Sequence, residues 1–186
     1  MIYYTGDIHG STLEIVTFCM RFKPTKDDTI VILGDVGANY FGNERDVAFK
    51  SAFAKLKPTI LCIHGNHERR PESLPYYGEQ EWRGGKVYVE ERYPNILFAK
   101  DGEIFDIEGT RHLVIGGAYS VDKAYRLSRG YGWWADEQPS DKIKSYVENQ
   151  IKEKAEELAA RLRNICYELE DISDISEDIV DFGGED

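Results

Sequence analysis

Short apolar runs and longer mixed segments alternate along the first third of the chain. Three runs, 2–5, 30–33 and 59–63, are apolar and largely β-branched or aromatic, as strands are. Between them, 11–22 and 43–56 are broadly apolar segments of helical length, and a proline closely follows each. The order strand, helix, strand, helix, strand predicts a parallel sheet with helices on its faces.

The pattern changes after residue 68. We expect 69–85 to be a long loop that carries Tyr76, Tyr77 and Trp82. Four short β-type runs follow at 86–90, 96–99, 103–107 and 111–116. The Asp-Gly and Glu-Gly pairs between the later runs are tight-turn signals. We interpret these runs as a meander that forms a second sheet.

The C-terminal part is typical of a long helix, from about residue 141 to 171. Its apolar residues follow a heptad spacing: Ile151, Ala155, Leu158, Leu162, Ile165, Leu169 and Ile172. This stripe either packs on the chain's own sheet or pairs with a second copy, and the sequence leaves both open. We therefore divide the chain into a core, 1–139, and a helix with an acidic tail, 140–186, which is part of the same domain or an oligomerisation element.

Length and charge narrow the class of protein. The chain has 186 residues, enough for one domain, and a net charge of −11. Residues 164–186 contain nine acidic side chains and no Lys or Arg. This balance disfavours binding to a nucleic-acid backbone. The three cysteines lack paired spacing, which argues against a disulfide framework. Without a signal-peptide pattern or an apolar run near the about 20 residues of a membrane span, we expect a cytoplasmic protein.

Polar residues follow each of the three N-terminal runs. Asp7 and His9 come after the first run, Asp35 after the second, and Asn66 and His67 after the third. The loops at the carboxyl ends of parallel strands share one crevice, so these side chains should converge. Carboxylate, imidazole and amide ligands suit borderline divalent metals. An aspartate shared by two ions about 4 Å apart fits in-line displacement at phosphorus.

At these residues the chain resembles the calcineurin-like metallophosphoesterases. The family pattern is D-x-H, then G-D, then G-N-H followed by D or E. Here it reads Asp7-Ile8-His9, Gly34-Asp35 and Gly65-Asn66-His67-Glu68. The later segments 81–86, 116–120 and 133–137 look like those of short bacterial and phage members. The resemblance covers roughly residues 1–150 and implies an α/β fold, the αββα sandwich, here without the family's last strands and with a long C-terminal helix.

The resemblance also implies an activity. It implies a hydrolase of phosphomonoesters or phosphodiesters that uses divalent metal ions, Mn²⁺ first and Fe, Zn, Ni or Mg as alternatives. Asp7 and His9 would bind one ion, Asp35 would bridge, and Asn66 would bind the second ion. His67 would lie near the leaving group as the catalytic acid.

The chain departs from the family in its later ligands. The family takes further histidines from late strands, whereas this chain has four histidines in all and none after His112. His112 starts a strand at the wrong end for the crevice, and His64 reads as a packed residue. Asp186 could stand where a last histidine would be. The missing ligands leave open a second function, a catalytically impaired protein that acts by binding or regulation, and they predict weaker metal binding.

The segment from residue 117 to 139 is rich in glycine, aromatic residues and arginine. Loops of this kind often line binding clefts. Arg126 and Arg129 are candidate substrate-binding residues because arginine forms bidentate contacts with phosphate. The alternative is that Trp133 and Trp134 only cover the rim of the sheet.

Overall fold

The protein was analysed as a computed structural model, which describes the backbone of residues 1–181 and the side chains of residues 1–167. Two compact units are present, Met1–Lys144 and Ser145–Asp186. Across the described chain, no helix is both long and apolar enough to cross a membrane. Asp186, a candidate ligand in the sequence, lies outside the described residues.

The first unit is built on a six-stranded mixed sheet. Its strands are β1 (Ile2–Thr5), β2 (Thr29–Leu33), β3 (Thr59–Ile63), β4 (Tyr77–Trp82), β5 (Gly85–Glu90) and β6 (Ile96–Ala99). Their order is β1-β2-β3-β6-β5-β4. The first four strands in this order are parallel. The strand β5 pairs antiparallel with β6, and β4 pairs antiparallel with β5. Two further strands, β7 (Ile104–Ile107) and β8 (Thr110–Leu113), form a separate hairpin.

The described residues also form four α-helices. They are α1 (Leu13–Phe22), α2 (Glu44–Phe53), α3 (Lys123–Ser128) and α4 (Asp141–Asp181). Asn43 starts α2, because its side chain accepts a hydrogen bond from the backbone N–H of Arg45. Successive residues of a strand face opposite sides of a sheet. Accordingly, Cys62 belongs to one apolar layer with Phe53, and Leu61 belongs to the other with Phe105.

The registers of β1, β2 and β3 bring their exits to one edge of the sheet. Thr5 pairs with Ile32, and Leu33 pairs with Ile63. In the register of the sheet, the end of each strand therefore lies within one or two residues of the end of its neighbour. The polar loops that follow them start side by side.

The predicted α/β fold class, with a central sheet and a long C-terminal helix, is confirmed. Two details are wrong. Residues 69–85 do not form one long loop, because they contain β4 and a short 3-10 helix, Pro71–Ser73. The strands β5 and β6 do not belong to a second sheet, because β6 pairs with β3 in the first.

Both differences have physical causes. All four residues of β6 are apolar and buried, and a continuous apolar run is typical of a strand covered on both faces in a parallel sheet. The strand β4 is glycine- and glutamate-containing and mostly exposed at the edge of the sheet. Such a sequence has a low strand propensity, so pairing with β5 decides its conformation.

Candidate metal centre

Backbone hydrogen bonds hold the first two strand-exit loops side by side. The N–H of Asp7 donates to the carbonyl of Gly34 at 3.1 Å, and the N–H of His9 donates to the carbonyl of Asp35 at 2.8 Å. These bonds continue the pairing of β1 and β2 past the ends of the strands. The side chains of Asp7, His9 and Asp35 are thereby placed by the main chain.

The same three residues have a left-handed backbone. Asp7, His9 and Asp35 have φ angles of 58°, 44° and 46°. For a residue with a Cβ atom, this conformation costs about 1–3 kcal/mol. It persists only where the surrounding structure imposes it, and such strain is concentrated at functional sites. The strain here therefore points to the same crevice as the sequence motifs.

The third loop approaches the second so closely that only glycine fits at its start. A Cβ atom on Gly65 would lie 2.0 Å from Oδ1 of Asp35 and 2.1 Å from its backbone nitrogen. Any side chain at position 65 would push the two loops apart. The glycine of the third motif is thus a requirement of packing.

Glu68 joins the second and third loops from within. Its wholly buried carboxylate accepts N–H groups of Val36, Gly37 and Gly65 at 3.1–3.2 Å. Burial raises the pKa of Glu68 to about 7. The three donors occupy its oxygens, so Glu68 holds the loops in place.

The donor atoms of the three loops converge. His9 Nε2 lies 2.8 Å from Asp7 Oδ1 and 3.9 Å from Asp35 Oδ2. His67 Nδ1 lies 2.9 Å from Asp35 Oδ2. Three possible metal-ligand atoms, one each from His9, Asp35 and His67, lie within 4.8 Å of one another. Two ligands bound at right angles, each about 2.1 Å from an ion, are about 3 Å apart. The spacing and the mixed nitrogen and oxygen donors suit one borderline divalent cation.

Asn66 lines a cavity of about 380 Å³ together with Asp7 and Asp35. Its Nδ2 donates to Oγ of Ser120 at 2.9 Å. The single proton of that hydroxyl is already used, because Ser120 donates to Oε2 of Glu137 at 2.5 Å. Ser120 can therefore only accept from Asn66, which identifies the facing atom as nitrogen. The amide oxygen of Asn66 is left free to bind a cation.

The two candidate arginines differ in position. Arg126 is 3% exposed, and its guanidinium donates to Ser120 Oγ at 3.0 Å and to the carbonyl of Gly132. It lines the cavity beside His9 and His67, and three of its five N–H groups are bonded within the protein. Arg129 is exposed, with its guanidinium 5.6 Å from the ring centre of Tyr125. Phosphate binding by either arginine stays a prediction.

The sequence pattern did not indicate three residues at the site. Asp122 Oδ2 lies 4.0 Å from His67 Nε2, and Ser120 and Glu137 orient Asn66 as described above. Ser120 and Glu137 fall within segments that already resembled the family. Nothing in their residue types pointed to their roles, so only the resemblance could have found them.

The remaining histidines lie in other surroundings. His64 is 3% exposed, and within the described chain neither ring nitrogen has a hydrogen-bond partner. Burial lowers its pKa to about 3. The prediction that His64 is packed is confirmed. The expectation that His112 starts a strand is wrong, because β8 begins two residues earlier, at Thr110. The Nε2 atom of His112 lies 2.6 Å from the hydroxyl of Tyr4 in β1.

The sequence is similar to a known protein family. The sequence model of the calcineurin-like phosphoesterases matches residues 1–169. A search of curated proteins finds no match. Among solved structures, a protein of unknown function from Aquifex aeolicus is 16% identical, with a TM-score of 0.41, over 83% of this chain and 74% of that chain.

Proposed function

Because the chain belongs to the calcineurin-like phosphoesterase family, we propose that it is a metal-dependent hydrolase of a phosphomonoester or phosphodiester. The observation that carries the proposal is the convergence of His9, Asp35 and His67 at adjacent strand exits. Borderline metals such as Mn²⁺, our first choice, accept the imidazole of His9 and the carboxylate of Asp35, and His67 lies beside them as the candidate acid.

Each residue has a proposed role. Asp7, His9 and Asp35 bind one divalent ion, and Asp35 with Asn66 reaches towards a second. A bound ion would supply a water molecule of lowered pKa and polarise the phosphoryl group. His67 provides a proton to the leaving oxygen as a general acid. Its Nδ1 faces Asp35 at 2.9 Å, and its Nε2 lies 4.0 Å from Asp122.

Binding of the second ion is proposed to be weak. The sequence has no histidine after His112, which leaves Asp35 and Asn66 as its main ligands. Two tightly held ions per chain would contradict this proposal and point to further carboxylate ligands. The same shortage of ligands favours the second candidate function, a catalytically impaired protein of this fold that acts by binding or regulation.

Asp35→Asn tests the function. We expect wild type to bind Mn²⁺ and to hydrolyse bis-p-nitrophenyl phosphate or p-nitrophenyl phosphate. Asp35→Asn should lower Mn²⁺ affinity by at least about 100-fold, the upper end of losses seen when a residue supporting a ligand is changed. Calorimetry measures the Mn²⁺ affinity, and the release of p-nitrophenolate measures the hydrolysis of either substrate. Asp27→Asn, in an exposed turn, is the matched control.

The outcomes separate the candidate functions. Mn²⁺ binding without hydrolysis of either substrate favours the binding or regulatory protein. No Mn²⁺ binding by wild type contradicts the metal-dependent hydrolase. Equal Mn²⁺ affinity of wild type and Asp35→Asn would place the ion elsewhere.

We further propose that α4 pairs with a second copy of the chain. The described seam residues Ile151, Leu158, Leu162 and Ile165 are 47–63% exposed, and Leu169 and Ile172 lie outside the described side chains. A heptad seam of this kind is stabilised by a facing helix. Leu162→Glu should convert a wild-type dimer into folded monomers in light scattering, whereas Ala160→Glu, off the seam, should not. A wild-type monomer at micromolar concentration would contradict dimerisation.

A cytoplasmic location also stays a prediction.

A further inference from the structure

A second cavity, of about 310 Å³, lies on the His67 side of the candidate metal centre. Small-molecule sites start at about this size. Besides His9 and His67, its lining contains four aromatic side chains: Tyr40, Phe41, Tyr125 and Tyr131. The candidate catalytic acid and these rings therefore face the same space.

One aromatic wall comes from the loop between β2 and α2. The buried carboxylate of Asp46 accepts N–H groups of Phe41 at 3.0 Å and of Gly42 at 2.6 Å, which fixes this turn. The ring of Tyr40 packs edge-on against Trp134, with 5.5 Å between ring centres. The wall is thus held in place without a ligand.

A second wall comes from α3 and the residues after it. Tyr125 and Tyr131 lie with their ring centres 6.2 Å apart. The N–H of Tyr131 donates to the carbonyl of Arg126 at 2.9 Å, which closes the turn. Tyr125, Tyr131 and Phe41 are 45–54% exposed. A planar ligand between the walls would remove their apolar faces from water.

The charges of the cavity disfavour a phosphate inside it. Asp122 brings a carboxylate to the lining. Three of the five N–H groups of Arg126 are bonded to Ser120, Gly132 and the carbonyl of Asn66. A phosphate group would be repelled by this carboxylate, whereas a neutral ring would not.

From these contacts we propose that the cavity binds a planar aromatic ring of the substrate, so that the phosphoester hydrolysed carries a nucleobase or an aryl group. The inference rests on the proposed function, because it places the phosphate at the Asp35 cluster and the ring beside His67. Ring N–H groups of a nucleobase would find an acceptor in Asp122.

Non-hydrolysable phosphonates test the ring directly. Phenylphosphonate and methylphosphonate are titrated by calorimetry into the Mn²⁺-loaded protein, at a pH where both are dianions. They differ only in the ring. We expect phenylphosphonate to bind at least about tenfold tighter, as stacking of one ring would give. The phosphonate analogues of adenosine 5′-monophosphate and ribose 5-phosphate form a second pair, and a further gain there identifies a nucleobase.

Substitutions test whether the lining of this cavity causes the preference for a ligand with a ring. The double variant Phe41→Leu with Tyr125→Leu should bind both members of a pair within about twofold, while methylphosphonate affinity stays that of wild type. Phe22→Leu, an exposed aromatic on α1 outside the cavity, should keep the full preference. Thermal unfolding checks that each variant is folded.

Two outcomes overturn the inference in distinguishable ways. Equal binding of phenylphosphonate and methylphosphonate to wild type refutes the aromatic cavity and leaves the proposed function intact. Failure of every phosphonate to bind the Mn²⁺-loaded protein refutes both. A preference that survives in the double variant places the ring elsewhere and also refutes this assignment.

Discussion

The strand-exit loops and the segment from residue 117 to 139 both contribute to the candidate site, but different forces hold them. Main-chain hydrogen bonds, a close glycine contact and three main-chain N–H groups that donate to Glu68 fix the loops at Asp7, Asp35 and Gly65. Buried side-chain groups fix the later segment, where Ser120 bonds to Glu137. A backbone-held region should be sensitive to added volume, and a side-chain-held region to the loss of a polar group.

Arg70 shows how the later segment is attached. It is 6% exposed, its Nη1 donates to Asp101 Oδ2 at 2.6 Å, and its Nε donates to the carbonyl of Asp136 at 2.6 Å. One buried cation from the loop after β3 thus holds two distant parts of the chain. Breaking such a pair on one side costs about 3–5 kcal/mol, because a buried charge loses its partner.

Gly65→Ala should have the largest effect, because it wedges the backbone-held loops apart. The added Cβ atom meets Asp35 at 2.0 Å, and we expect a loss of about 3 kcal/mol in the free energy of unfolding. Mn²⁺ binding should be lost as well. Chemical denaturation and calorimetry measure the two effects. Gly78→Ala, whose Cβ has its nearest neighbour at 3.9 Å, should cost far less, and equal effects of the two changes would contradict the backbone-held description.

Ser120→Ala should have the next largest effect, because it removes a polar group from the side-chain-held segment. Asn66 Nδ2 and Glu137 each lose a partner in a buried site, and we expect a loss of about 1–3 kcal/mol in unfolding free energy. With the Asn66 amide no longer oriented, Mn²⁺ affinity should fall by about 10–100-fold. Ser128→Ala, at an exposed position on α3, is the control. Unchanged Mn²⁺ affinity in Ser120→Ala would show that Asn66 is oriented by other contacts or is not a ligand.

The smallest effect is expected for His64, a buried side chain in the strand-exit region. Its ring has no polar partner among the described residues, so this prediction tests that region without the loss of a hydrogen bond. Its pKa falls from 6.5 when exposed to about 3 in the folded protein. Stability from the neutral ring is therefore complete above pH 6.5 and is lost as pH falls towards 3. Between pH 7 and 5, metal-free protein should lose about 2 kcal/mol from this group. Denaturation of His64→Leu across this range should show a smaller loss, and an unchanged pH dependence would contradict the assignment.

Much of the site follows from local sequence. The apolar runs before Asp7, Asp35 and Asn66 predict strands, and parallel strands place their exits together, so the convergence needed only periodicity and the rule for sheet edges. The left-handed backbone of Asp7 and Asp35 lies at the same strand exits that the sequence indicates. The burial of β6 could also have been read from its unbroken apolar run.

Tertiary structure alone decided the rest. Whether β5 and β6 joined the first sheet depended on pairing between Ile60 and Ile96, which are far apart in sequence. The orientation of Asn66 depends on Ser120, 54 positions later. Periodicity describes neighbours within one element, whereas a hydrogen bond between distant side chains exists only after the chain has closed around it. The sequence by itself therefore determined the candidate ligands and the edge on which they stand, and the folded chain determined how they are oriented and which aromatic residues surround them.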